Sequence, residues 1–292
     1  MVPQPSRVVL DVDTGIDDAL ALLYAAAETR LDLVGVTTVV GNVPVEVAAR
    51  NSAAVLAVAR ASQVPVVVGA RRTVGGSGHR RGTTNHGSGG LGGVALPSPP
   101  EGAVQDHDPL DLVTLLSRAS PVVIAACAPL TNVARYLSLA GVEQVVMVGG
   151  ELAAAPEPEF NAAHDAVSTA QVLSAETALT VYTADVFETI AVPPPLVARL
   201  RGSRDAAARL AGELLAVRRR HLLGDAGALV LMARPDLFDV QLKHMALVGD
   251  QLVPHPSTDV GREVNVVVAA DVSAVIDAFI SALDDSVITR PD

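Results

Sequence analysis

Short apolar runs alternate with longer helical segments along most of this chain, and this alternation limits its possible folds more than any other feature. The runs are apolar at consecutive positions, which is typical of strands buried on both faces of a parallel sheet. Apolar side chains make up 50% of the 292 residues, enough for a large core. We therefore predict an α/β fold with one domain over residues 1–292. Its mostly parallel, doubly wound (Rossmann-like) central sheet carries helices on both faces.

The expected elements follow from apolar spacing and from the positions of Gly and Pro. The predicted strands cover residues 8–12, 33–40, 64–68, 122–126, 145–148, 179–182 and 264–269, and the predicted helices cover 18–27, 46–61, 110–119, 131–139 and 166–174. Further helices are expected between about residue 190 and the last strand. A long loop rich in Gly and Pro is expected over 71–109, and a second irregular segment over 151–160.

Charge and composition exclude several classes of protein. The net charge of −11 argues against a nucleic-acid partner, because phosphate binding requires a basic surface. A single cysteine cannot form an intramolecular disulfide. The first seven residues lack the apolar region of a signal peptide, and no apolar stretch is long enough for a transmembrane helix. We expect a cytoplasmic protein that does not bind membranes.

Four carboxylates lie within the eight residues from Asp11 to Asp18, where the first strand gives way to a helix. In an open α/β sheet, sites form at the carboxyl ends of strands. Carboxylates this close together repel, and burying them is costly without a cation. An oxygen-only ligand set suits Ca²⁺ or Mg²⁺. A single Asp here could simply cap the helix, but capping needs only one.

The motif Asp11-Val12-Asp13-Thr14-Gly15-Ile16-Asp17-Asp18 resembles the N-terminal signature of the nucleoside hydrolases, the inosine–uridine-preferring ribohydrolases. Further blocks resemble that family in order and spacing over roughly residues 7–240. These blocks are 37–42 (TTVVGN), 86–93 (HGSGGLGG), 127–132 (CAPLTN), 145–150 (VVMVGG) and 159–161 (EFN). The resemblance implies a nucleoside hydrolase-like fold. It also implies an N-glycosyl hydrolase that cleaves ribonucleosides, or related ribosides, to free base and ribose in nucleoside catabolism.

The resemblance also implies a calcium site and a general base. Asp13, Asp18 and Asp225 would ligate Ca²⁺ through their carboxylates, and Cys127, at a position usually held by Thr, would do so through its backbone carbonyl. The Ca²⁺ would fix a water beneath the anomeric carbon and lower its pKa. Asp13 would act as general base for that water. The remaining carboxylate, Asp11, would orient the cluster.

Several residues correspond to family positions that bind the sugar. Asp17 and Asn42 would hold ribose hydroxyls, Asp225 would bind the 3′-hydroxyl as well as the metal, and Glu159 and Asn161 would bind the 5′ side of the ribose. A carboxylate-rich site of this kind stabilises the positive charge that develops on the sugar when an N-glycosidic bond breaks.

The main departure from the family concerns the proton donor for the leaving base. Gly224 stands where many members have a His, immediately before Asp225. His86 and His221 are the candidate replacements, and His164 is a weaker one. His221 would share a helix face with Asp225 if the segment between them were helical. Relatives that stack the base on Trp offer no alternative, since this chain has no Trp.

Two alternatives remain open. The missing His allows a catalytically weakened relative that binds ribosides without useful turnover. The Asp cluster also permits a Mg²⁺-dependent phosphate-transferring hydrolase, although Lys, which would grip the phosphate, is nearly absent. The basic run from Arg218 to Arg220 is interpreted as a solvated helix face. The family resemblance suggests a homodimer or homotetramer with a small nucleoside or riboside as its substrate.

Overall fold

Parallel strands and covering helices account for most of the chain, as the alternation predicts. The computed structural model describes residues 4–79 and 86–284. The strands are β1 (Ser6–Val12), β2 (Leu31–Thr38), β3 (Val66–Val68), β4 (Val104–Gln105), β5 (Val122–Ala126), β6 (Val142–Val148), β7 (Ala178–Tyr182), β8 (Phe238–Val248), β9 (Gln251–Pro254) and β10 (Arg262–Ala270). The helices are α1 (Ile16–Ala27), α2 (Val45–Val58), α3 (Pro109–Ala119), α4 (Val133–Tyr136), α5 (Phe160–His164), α6 (Ala166–Ser174), α7 (Ala184–Phe187), α8 (Pro194–Arg201), α9 (Ala206–Val217), α10 (Ala226–Ala233) and α11 (Val272–Asp284).

These described strands form one sheet in the order β4-β3-β2-β1-β5-β6-β7-β10-β8-β9. Every pairing from β4 to β10 is parallel, whereas β8 pairs antiparallel with both β10 and β9. Buried apolar residues form one cluster on each face of the sheet. The predicted α/β fold with a mostly parallel central sheet is confirmed.

The order of the strands reverses between β1 and β5. From β1 the chain adds β2, β3 and β4 on one side, and it then returns to add β5, β6 and β7 on the other. In open α/β sheets such a reversal opens a crevice beyond the carboxyl ends of the two strands. Asp11 in β1 pairs with Ala126 in β5, so the Asp motif and Cys127 leave the sheet side by side. The topology therefore places the motif at the crevice.

The predicted boundaries match best where Gly, Pro or a capping residue stops an element. Strand 122–126 and helix 166–174 have the predicted bounds. The helix expected over 131–139 contains only Val133–Tyr136, because β6 begins at Val142, three residues before its predicted start, and the chain must turn first.

An antiparallel hairpin, β8 and β9, occupies a region where only helices were expected before the last strand. Gly249 and Asp250 join the two strands, and Gly249 has a φ of +65°. Gly-Asp between two short apolar runs is a known hairpin signal. The expectation of helices alone in this region was wrong.

The segment expected to be one long loop, 71–109, is mostly irregular but includes β4 and the start of α3. Residues 80–85 of this segment lie outside the described part of the chain. None of the helices in the described part combines the length and apolar character needed to cross a bilayer.

Asn132 joins three segments below the crevice. Its side-chain Nδ2 donates to Asp11 Oδ1 and to the backbone carbonyl of Thr38, each at 2.8 Å, and its Oδ1 accepts from the backbone N–H of Ala70 at 3.0 Å. The residue is fully buried. The amide therefore ties the ends of β1 and β2 to the segment after β3.

We expect Asn132→Ala to lower the free energy of unfolding by about 3 kcal/mol, because several buried polar groups lose their partner. Urea unfolding followed by circular dichroism measures the change. Gln171→Ala, at an exposed position of α6, is the control and should shift stability by less than about 0.5 kcal/mol. Equal stabilities for the two variants would contradict this role of Asn132.

Candidate active site

A cavity of about 830 Å³ opens at the carboxyl ends of the strands. The Asp motif and the loops after β5 and β6 form its floor and one wall, and the segment after α9 forms another. Predicted site residues in its lining are Asp17, Asn42, His86, Cys127, Glu159, Asn161 and Asp225. The fold thus brings residues that are far apart in sequence to one cavity.

Asp18 is held at the start of α1 by the chain that precedes it. Its Oδ2 accepts from the backbone N–H of Gly15 at 2.8 Å, and its Oδ1 accepts from that of Asp13 at 3.3 Å. The positive end of the helix dipole also favours a carboxylate in the first turn. The turn after β1 therefore fixes one acidic group beneath the cavity, next to the lining residues Asp17 and Asp225.

Within the described residues, Asp17, Asp18 and Asp225 have carboxylate oxygens that all lie within 4.8 Å of one another, close enough to share a metal ion. Burial raises the pKa of Asp18 and of Asp225 well above the usual range, and the neighbouring carboxylates raise both further. A divalent cation would remove this penalty. The sequence prediction included Asp13 among the ligands and assigned Asp17 to the sugar, whereas the group in the structure contains Asp17 and not Asp13.

Asp13 lies beside this group, and Asn42 holds its carboxylate. The backbone N–H of Asn42 donates to Oδ2 at 2.5 Å, and the side-chain Nδ2 donates to Oδ1 at 3.0 Å. Burial raises the pKa of Asp13 to about 7, although the bonds from Asn42 oppose the shift. A Cβ on Gly41 would lie 1.8 Å from Asp13 Oδ2, so only glycine permits this approach.

Asp11 lies under the cluster. Its Oδ1 accepts from Thr37 Oγ1 at 2.5 Å and from Asn132, while its Oδ2 is buried without a hydrogen-bond partner among the described residues. Burial raises the pKa of Asp11 to about 7. Asp11 is fully buried and does not line the cavity, and its orienting role stays a prediction.

Glu159 and Asn161 line the cavity from the segment after β6. The Glu159 carboxylate caps α5 by accepting from the backbone N–H groups of Asn161 and Ala162 at 2.8 and 2.9 Å, and burial raises its pKa to about 7. The Asn161 Nδ2 donates to the carbonyls of Val148 and Cys127 at 3.1 and 3.3 Å. Burial raises the pKa of the Cys127 thiol well above its usual range. The oxygen of its backbone carbonyl is the donor that suits a hard divalent cation.

The three candidate histidines have different positions. His86 lines the cavity, and its Nδ1 accepts from the backbone N–H of Ile16 at 3.0 Å and lies 3.6 Å from Asp17 Oδ1. His221 does not line the cavity and lies in a short 3₁₀ turn rather than on a helix continuous with Asp225. His164 packs against the ring of Phe160, and its Nε2 contacts the carbonyl of Gly78.

Arg218 was expected on a solvated helix face, and this interpretation is wrong. Its side chain is only 12% exposed, and its Nη2 donates to Asp17 Oδ2 at 2.8 Å. Leu210 and Leu214 of α9 are both buried, and Arg218 follows at the same four-residue spacing. That spacing could have predicted the inward direction. Burial acts to raise the pKa of Asp17, but the charge of Arg218 opposes it, and this pKa lies below the usual value.

The position of Asp17 also limits which residue can stand at position 224. Gly224 has a φ of +55°, and a Cβ there would lie 2.6 Å from the Asp17 Cβ and 2.8 Å from Asp17 Oδ2. A side chain at this position would be strained and would displace Asp17. The glycine therefore lets Asp17 lie close to this segment, in addition to replacing a histidine.

Comparisons with known proteins place the chain among nucleoside hydrolases. The family profile described as "Inosine-uridine preferring nucleoside hydrolase" matches residues 8–277. The chain is 31% identical over 219 residues to the pyrimidine-specific ribonucleoside hydrolase RihA of Shewanella sp. (strain MR-7), covering 71% of this chain and 68% of the relative. It is 35% identical over 151 residues to uridine nucleosidase 1 of Arabidopsis thaliana, covering 49% and 45%.

The solved structure of a plant nucleoside hydrolase, PpNRh1, superposes with a TM-score of 0.84 at 22% identity and covers 96% of this chain and 99% of that one. At this identity the likeness concerns the fold. The aligned stretch spans only about half of the length of the plant uridine nucleosidases.

Without a bound cation, we expect the protein to lose stability as the pH rises between about 4 and 7. Asp11 and Asp13 have folded-state pKa values of about 7 against a reference of 3.8, so the folded state binds protons more tightly, and this advantage disappears as they ionise. Ca²⁺ at neutral pH should restore stability, by about 2.7 kcal/mol at a hundredfold excess over Kd.

Differential scanning calorimetry in chelator and in Ca²⁺, at several pH values, measures both effects. Asp111→Asn, at an exposed position of α3, is the control and should respond to Ca²⁺ as the wild type does. A chelated protein that gains stability over this pH interval and does not respond to Ca²⁺ would contradict the interpretation.

Proposed function

The chain belongs to the inosine–uridine preferring nucleoside hydrolase family, and we propose that it hydrolyses the N-glycosidic bond of ribonucleosides, or of related ribosides, to a free base and ribose. The observation that carries the proposal is the buried group formed by Asp17, Asp18 and Asp225 at the floor of the cavity, with Asp13 beside it. A carboxylate-rich floor suits a reaction in which positive charge develops on a sugar ring.

We propose that Ca²⁺ is the cofactor, held by the carboxylates of Asp13, Asp18 and Asp225 and by the backbone carbonyl of Cys127. The buried oxygen donors and the raised pKa values of Asp18 and Asp225 support a hard divalent cation. Asp17 is close enough to join this set, but its ion pair with Arg218 supports a separate role for it. A cation bound here would lower the pKa of a water molecule.

In the proposed mechanism Asp13 is the general base. The Asp13 carboxylate takes a proton from the attacking water while the water oxygen bonds to the anomeric carbon. The bond from that carbon to the leaving nucleobase breaks at the same time. Asn42 holds both oxygens of the Asp13 carboxylate, which fixes its orientation before substrate arrives. The loop after β2 therefore orients the Asp13 carboxylate.

The remaining polar groups of the cavity bind the ribose. Asp17 accepts hydrogen bonds from the ribose hydroxyls, and Asn42 donates to them. Asp225 binds the 3′-hydroxyl. Glu159 and Asn161 bind the 5′ side. All five residues line the cavity, which supports this assignment. Binding energy gained at the sugar can then hold the anomeric carbon in a reactive geometry.

Of the two proposed proton donors, His86 is the one that lines the cavity and contacts the Asp motif. His221 keeps its place as a candidate only if the 3₁₀ turn that contains it moves when substrate binds. We further propose a cytoplasmic homodimer or homotetramer. The exposed Val240 and Leu242 of β8 support self-association, because large apolar side chains are seldom left in water together.

We expect the protein to release ribose from inosine, uridine and 4-nitrophenyl riboside in the presence of Ca²⁺, and to stop when the ion is chelated. Asp13→Ala should lose Ca²⁺ binding together with turnover, the latter by about a hundredfold or more. A reducing-sugar assay and calorimetric titration of Ca²⁺ measure the two properties. Asp111→Ala, at an exposed position, is the control and should match the wild type.

Full activity of Asp13→Ala would contradict the mechanism. Binding of Ca²⁺ and ribose without turnover of any of the three substrates would instead identify a catalytically weakened riboside-binding relative.

A further inference from the structure

Arg218 extends into the cavity from the end of α9. Its Nη2 contacts Asp17 at 2.8 Å, and its side chain is 12% exposed. The next two residues of the basic run differ from it. Arg219 and Arg220 are both exposed, and Arg220 donates to the backbone carbonyl of Glu188. Arg218 is thus the member of the run whose charge lies next to the carboxylate cluster.

The Arg218 guanidinium has an N–H donor that its contact with Asp17 does not use. Its Nε is buried and has no hydrogen-bond partner among the described residues. A buried N–H without a partner costs free energy that a bound ligand can recover. The guanidinium also presents several N–H groups in one plane, a geometry suited to anionic oxygens and to the edges of anionic rings. The arrangement fits an anionic group that arrives with the substrate.

Arg218 also lies close to the position where the family histidine would stand. Its Nη2 and a Cβ on Gly224 would each lie 2.8 Å from the same atom, Asp17 Oδ2. The two points are therefore no farther apart than the sum of these distances. The Arg218 guanidinium therefore lies in the part of the cavity where a histidine at position 224 would place its side chain.

We propose that the Arg218 guanidinium binds the leaving group, which departs as an anion. This inference rests on the proposed hydrolase function. The bond from the anomeric carbon to the leaving group breaks, and its electron pair stays with the leaving group. The water oxygen bonds to the anomeric carbon, and its proton passes to Asp13. The Arg218 guanidinium supplies charge and hydrogen bonds and transfers no proton. It stabilises the anion until His86, the proposed proton donor, or solvent protonates it.

This role defines a substrate class. Arginine stabilises charge but does not donate a proton, so ribosides whose leaving group forms a stable anion are favoured. Bases with an acidic ring N–H beside a carbonyl belong to that class, as do phenols. Bases with an amino group in place of the carbonyl form poorer anions.

The test compares leaving groups in the wild type, Arg218→Gln and Arg218→Lys. We expect Arg218→Gln to lower kcat on inosine and uridine by about 10²–10³-fold, the loss typical of removing one charge-stabilising donor. The loss on 4-nitrophenyl riboside, whose leaving group is already a stable anion, should be below about tenfold. Arg218→Lys keeps the charge without the planar donor set, and its loss should fall between these values. Arg118→Gln, on the exposed surface of α3, is the control.

Equal losses on all three substrates, or a change confined to KM, would overturn the proposal, because a residue that only positions Asp17 would not distinguish between leaving groups. A second measurement needs no turnover. With Ca²⁺ and ribose present, 4-nitrophenol titrated against the wild type should show an apparent pKa about 1 unit lower than it shows against Arg218→Gln. Identical titrations would also overturn it. If the wild type cleaves no riboside, the proposed function fails, and this titration still decides whether Arg218 holds an anion.

Discussion

Repulsion among buried carboxylates is the constraint on which this site depends. Four of them surround the end of β1 and the start of α1, and Asp225 approaches from the start of α10. Hydrogen-bond donors or a positive charge stabilise several of these carboxylates one by one. Asn42 donates to Asp13, backbone N–H groups donate to Asp18, and Arg218 pairs with Asp17. The raised pKa values of Asp18 and Asp225 indicate that the compensation is incomplete without a cation. A metal site follows from this balance more directly than from any one ligand.

The topology of the sheet brings these carboxylates close together. Reversal of strand order between β1 and β5 opens the crevice, and parallel pairing brings the Asp motif and Cys127 to the same edge. Glycine allows the final approach at two positions: Gly41 admits the Asp13 carboxylate, and Gly224 admits Asp17. Asn132 ties the underlying strand ends together and holds Asp11. The site thus relies on close backbone contacts as much as on its charged side chains.

The fold class and the acidic motif could be predicted from sequence because both depend on local patterns, whereas the other cavity residues were indicated only by the family resemblance. Buried strands give apolar runs, and the Asp motif lies between a strand and a helix. Arg218 was missed because a basic run suggests solvent, although its four-residue spacing from Leu214 carried the opposite signal. The face of His221 was predicted from helical spacing, and the 3₁₀ turn invalidates that spacing. The distances among Asp13, Asp17, Asp18 and Asp225 come from tertiary packing and have no sequence signal.

Binding of a cation by the carboxylate cluster can be measured by calorimetric titration of Ca²⁺ at neutral pH in two buffers of different ionisation enthalpy. Carboxylates with raised pKa values must lose their protons when they bind a metal. We expect saturable binding at one site with net release of protons, which appears as a buffer-dependent heat. An absence of saturable binding, or binding whose heat is the same in both buffers, would contradict it.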